Sequence, residues 1–282
     1  MPPSTPPASQ LSRDVLAADW SKSQARAGLV LVIAIGGALA AGILTGNPRS
    51  GVLIAAGAFS VGFGSFQQLC RSRIVPMLLA AAGMCVSSWV GTLAGLSSIT
   101  AVIASAAAAF LYAEISRRSQ AASWVALQCA IWLVISTAYP VHGLPALNRG
   151  WLILTGGLLQ ATVTALVRRI AGARIPEWSG IQPGAPTQRI SAIHATLAIA
   201  IAAALCQSLS AGAGSQNAYW MPMTTLIVLR SKLGQTVQRG VARTLGTMVG
   251  ASLTTVIVTA APPGQWVLAL ALFCLRGQVT RC

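Results

Sequence analysis

Apolar runs long enough to cross a lipid bilayer follow one another along this chain, parted by short joints of Gly, Pro, Ser, Asn and Arg. A helix spanning about 30 Å of hydrocarbon needs about 20 residues, with tolerance down to about 17. The pattern predicts spans over 28–46, 51–69, 74–93, 96–113, 121–140, 150–167, 190–209, 218–230 and 244–261. The eighth is short, and Asn217 or the Gly-rich stretch before it completes that crossing. A tenth starts near Gln265 but is apolar only to residue 275, where Arg276 and then Arg281 interrupt it. Those 11 residues make roughly 16 Å of helix. An unfinished tenth span and a truncated C-terminus are therefore expected. The expected fold is all-α, a polytopic membrane helix bundle of about 9–10 spans.

The first 27 residues break the pattern, being polar, Pro/Ser-rich and of both charge signs. They lack the basic segment and short apolar core of a signal peptide, and read as a disordered cytoplasmic tail. The segment from Arg26 resembles the segment from Arg189. Each has an Arg, an Ala/Leu/Ile span, a Gly-rich turn, a second span, a basic connection and a Gly-containing third span. The offset of roughly 165 residues covers six spans, an even number, so both copies enter from one side as a parallel repeat. The organisation predicted is a tail over 1–27, a six-span membrane unit over 28–167, a cytoplasmic linker over 168–189 and an incomplete second membrane unit over 190–282.

Charge then sets the orientation. Charged residues make up only 8% of the 282 positions, against about 25% in soluble domains. With the N-terminus in the cytoplasm, 17 of the 19 Lys and Arg residues fall on the cytoplasmic side, leaving only Arg49 and Arg149 outside. Such a bias in short loops follows the positive-inside rule. A net charge of +15 also raises nucleic acid as a partner. The basic residues stand singly or in pairs between apolar runs, however, so lipid is the expected partner and nucleic acid is not.

Candidate chemistry is sparse. The six cysteines show no CxxC pairing, so neither a metal site nor a disulfide framework is expected, and no cofactor is implied. The four acids, Asp14, Asp19, Glu114 and Glu177, all avoid the depth of the spans. That argues against a self-contained antiporter built on a buried carboxylate. Nothing resembles a nucleophile–base pair or a phosphate-binding glycine loop, and an enzyme is not expected. Gly42 with Gly46, Gly91 with Gly95, and Gly246 with Gly250 keep the GxxxG spacing, which predicts close helix packing within the chain.

Residues 218–250 read AYWMPMTTLIVLRSKLGQTVQRGVARTLGTMVG. This ordered stretch resembles the signature of the fusaric acid resistance-like family, also called the aromatic acid exporter superfamily. The matching positions are Tyr219, Trp220, Pro222, Thr224, Gln235, Thr236, Arg239, Arg243, Gly246, Thr247 and Gly250. The resemblance implies a bacterial inner-membrane protein linked to export of aromatic carboxylic acids or similar toxic compounds. Two features depart from the family. Ser231 and Lys232 stand where it commonly has Pro and an acid, and only 168–189 is available for its large cytoplasmic domain.

The candidate substrate-binding residues are Tyr219, Trp220, Pro222, Thr224, Gln235, Arg239 and Arg243. Tyr219 and Trp220 fall at the predicted outer interface, where rings either anchor at headgroup level or stack on substrate. Pro222 lies in the first turn of its span, where a missing N–H costs little, or opens a broken helix beside a site. Gln235, Arg239 and Arg243 recur every four residues and share a helix face with Thr247. Arg suits bidentate carboxylate contacts, and equally anchors on lipid phosphate. His194 is the ionisable group inside a predicted span away from its ends, a candidate proton relay or a group solvated near the interface. The function expected is a transporter component for small organic anions, working as a homo-oligomer or with efflux partner subunits. The alternative is a non-transporting truncated remnant or a structural subunit of a larger membrane complex.

Overall fold

A computed structural model of the chain describes residues 25–69, 72–170, 191–213, 218–229 and 233–260. The N-terminal tail up to residue 24, most of the predicted linker and the tenth span lie outside the described residues. The described residues are mainly helical: α1 Ala25–Leu44, α2 Pro48–Gly62 continued by a 3-10 turn Phe63–Phe66, α3 Ile74–Ala94, α4 Ser98–Ser116 and α5 Gln120–Thr137. Then come α6 Leu144–Ile170, α7 Ala192–Ala213, α8 Trp220–Val228 and α9 Leu233–Ala260. Among the described residues, six helices are long and apolar enough to cross a membrane. They are Pro48–Phe66, α3, α4, α5, α6 and Ala192–Ser210. The all-α polytopic helix bundle expected from the apolar pattern is what forms.

Local chemistry sets the helix starts. Gly46 turns the chain at φ +68° after α1, a left-handed conformation open to glycine. Asn47 then caps α2 by accepting from the Ser50 N–H, with Pro48 inside the first turn, where its absent N–H is no loss. Ser119 caps α5 through the Ala122 N–H at 3.1 Å, and the Ser72 hydroxyl accepts from the Ile74 and Val75 N–H groups at the head of α3. Two helix starts differ from the sequence pattern by more than a few residues. α6 begins six residues before the predicted span, after Gly143 at φ +63°. Arg149 therefore sits in the second turn of a helix rather than in an outer connection. α9 joins the predicted basic connection and ninth span into one helix of 28 residues.

Contacts divide the chain into two compact units, one of Leu29–Ser231 and one of Met1–Gly28 with Lys232–Cys282. In the first, α3 packs on α5 and α6, α2 on α6, α4 on α5 and α7, and α8 on α7 and α5. α5 stands between two cores. Ala130 and Val134 join Ala109, Tyr112, Ile199, Met223 and Leu226. Trp132 joins Val61, Met77, Met84 and Ile153. The interior is mostly Ala and Gly, because without a hydrophobic drive in lipid, helices associate by close backbone approach. Gly91 and Gly95 press on the carbonyls of Leu133 and Thr137, and Gly42 meets Gly51. Gly91 and Gly95 thus serve packing within the chain, as expected. Gly46, the partner read for Gly42, serves the turn instead. Leu44, Ile99, Ile103, Leu197 and Ile201 point outward, an apolar exterior suited to lipid.

In the second unit α9 carries Gln235, Arg239, Arg243 and Thr247 along its length, with Val237, Leu245, Met248 and Val256 exposed.

Candidate functional site

The Tyr-Trp-x-Pro stretch opens α8, a helix of only nine residues. Tyr219 takes the N-cap position with helical backbone angles, and its carbonyl accepts from the Met223 N–H. Pro222 stands in the first turn and is fully buried beside Met223 and Leu226. This apolar side of α8 is wedged against α4, α5 and α7. Thr224 is half-buried on the same helix. The wedge holds the start of α8 in place, so Tyr219 and Trp220 project from a fixed point at one end of the bundle.

There the Tyr219 ring lies between two others. Its centroid is 5.8 Å from that of Tyr139 and 6.0 Å from that of Trp220, the latter nearly parallel at 26°. Tyr139 follows the last turn of α5, where its N–H donates to the Ser136 carbonyl. The Arg149 guanidinium stands 5.0 Å from the Tyr139 ring centroid, within cation–π range. Its Nη1 donates to the Tyr139 carbonyl at 2.8 Å and to the Thr92 hydroxyl at 3.3 Å. A cation thereby meets the carbonyl end of α5, where the helix dipole favours it. Four segments thus bring Thr92, Tyr139, Arg149, Tyr219 and Trp220 into one row.

Tyr139 and Arg149 were not legible as site residues in the sequence. Arg149 entered only as a minority charge on the outer side, and Tyr139 as the end of a span. The available signal was one of two outer arginines, close in sequence to a span end that carries a Tyr.

The remaining predicted residues lie elsewhere. His194 is exposed in the first turn of α7, beside the buried Ala195. Gln235, Arg239 and Arg243 occupy successive turns of α9, in the second unit, and Arg243 is half-buried. Among the described residues no group of three or more His, Cys, Asp or Glu could hold a metal ion.

Residues 193–279 match the family described as Fusaric acid resistance protein-like. The match begins in α7 and contains the whole 218–250 signature. No curated protein and no solved structure matches the chain.

Proposed function

For a chain whose residues 193–279 are fusaric acid resistance protein-like, we propose a role as a transport component that exports aromatic carboxylic acids or related toxic organic anions. The observation that carries this reading is the coincidence of the family match with the half-buried ring of Tyr219 and the exposed ring of Trp220 at a membrane-bundle end. In this reading the protein lies in the bacterial inner membrane with its N-terminus in the cytoplasm, an orientation favoured by the 17 of 19 basic residues that then face inward.

Gln235, Arg239 and Arg243 gather organic anions at the cytoplasmic side, where a guanidinium row offers forked donors to carboxylates. Thr224 and Pro222 shape the start of α8. His194 relays protons to the transport step, and further copies or efflux subunits complete the assembly.

The test is accumulation of radiolabelled 4-hydroxybenzoate in cells expressing the full chain, with membrane insertion verified. Expressing cells should hold less label than empty-vector cells, and the Arg239→Gln/Arg243→Gln double variant should lose most of that difference. Equal accumulation with and without the inserted protein would overturn the export reading.

A further inference from the structure

Arg149 stands apart from the other arginines of its helix. Arg168 and Arg169 occupy the last turn of α6, at the opposite end from Arg149. Arg149 instead sits half-buried among rings. A guanidinium has five N–H donors, and the hydrogen bonds to Tyr139 and Thr92 both leave from Nη1. Among the described residues Nη2 and Nε take no hydrogen-bond partner, which leaves them for a planar, two-oxygen acceptor.

Among the described residues no carboxylate meets it. Glu114 pairs with Arg117, 3.1 Å away, just past the end of α4. A cation partly withdrawn from water without a counter-ion has lost hydration that an incoming anion can offset.

The rings beside it are equally specific in placement. An aromatic belt accounts for single Tyr and Trp residues at headgroup level. Here three rings from two segments form a continuous row, and a guanidinium abuts its Tyr139 end. Tyr139 and Trp220 are 42% and 47% exposed, so the row is open to a further ring rather than closed into the core. The same assembly offers forked donors for a carboxylate and flat apolar faces for the ring attached to it.

We propose that Arg149, Tyr139 and Tyr219, with Trp220 at the rim, form a binding site for an aromatic carboxylate at the bundle end opposite the arginine pairs. The guanidinium takes the carboxylate, and the tyrosines take the ring. The choice of substrate class rests on the export reading, and the site is then the last one met before release. Thr92 and the Tyr139 carbonyl are positioning groups, since they hold Nη1 and leave Nη2 and Nε to the carboxylate.

The test uses the full chain, purified into nanodiscs of zwitterionic phosphatidylcholine, with radiolabelled benzoate as probe and benzamide as its neutral competitor. The wild-type protein should bind benzoate saturably and prefer it to benzamide by about 10-fold, the size of one charge-assisted contact. Arg149→Gln should abolish that preference, and Arg149→Lys should restore part of it. Tyr219→Leu leaves the Arg149 hydrogen bonds in place. It should weaken benzoate and benzamide alike while keeping their ratio.

A wild-type preference in Arg149→Gln, unchanged binding in Tyr219→Leu, or no saturable benzoate binding by the wild type would each overturn the site. Cell accumulation separates the two ideas. Export that survives Arg149→Gln with binding unaltered removes the site and leaves the export reading. Arg149-dependent benzoate preference in a protein that lowers no accumulation leaves the site and removes that reading.

Discussion

The hydroxyls of Ser88 and Ser136 lie 2.8 Å apart, both buried, and tie α3 to α5 midway between the Arg149 row and the Trp132 contacts. One turn further along α3, Thr92 receives Arg149, and on α5 the Trp132 indole donates to the Ser60 hydroxyl of α2 at 3.0 Å. Polar side chains therefore pair across helices where lipid offers them no other partner.

Removing one member of the Ser88–Ser136 pair should leave the other hydroxyl buried without its partner. Ser88→Ala and Ser136→Ala should each lower stability by about 1 kcal/mol. The double variant should lose less than the sum, read as a double-mutant cycle of detergent unfolding. Strict additivity would mean that the two hydroxyls are not coupled.

Gly91 is set directly against the Leu133 carbonyl, and Gly95 against that of Thr137. Gly91→Val should force α3 away from α5 and cost several kcal/mol, as overpacking does in close-packed interiors. Gly36→Ala supplies the control, because a Cβ there meets nothing within 4 Å. Its melting temperature should match or exceed that of the wild type. Equal melting of Gly91→Val and wild type would refute the contact.

Gln160 is buried on α6 with its Oε1 lacking a hydrogen-bond partner among the described residues, while Nε2 reaches the Thr164 hydroxyl at 3.4 Å. Gln160→Met keeps the volume and removes the unpaired oxygen. It should raise stability by about 1 kcal/mol in thermal unfolding. A clear fall would show that the oxygen has a partner, such as a bound water.

Orientation is open to direct labelling. On a cysteine-free background, an impermeant thiol reagent applied to intact cells should miss Ser72→Cys and reach His142→Cys. Labelling of residue 72 alone would invert the proposed topology and place the Arg149 row in the cytoplasm.

The sequence by itself determined the helical class, the approximate spans and the family signature. Runs of about 20 apolar residues have one stable backbone solution in lipid, and the Tyr219–Gly250 motif is contiguous along the chain. Caps such as Asn47 and Ser119 were within reach too, because a cap acts on the residues that follow it. The starts of α6 and α9 were not, since Asn148, Arg149, Arg239 and Arg243 look like connection residues until the helix around them is seen. Only the tertiary structure placed Arg149 against Tyr139 and Tyr139 against Tyr219. Those side chains come from α6, the end of α5 and the start of α8. No periodicity relates them, and helix packing alone decides which ends meet.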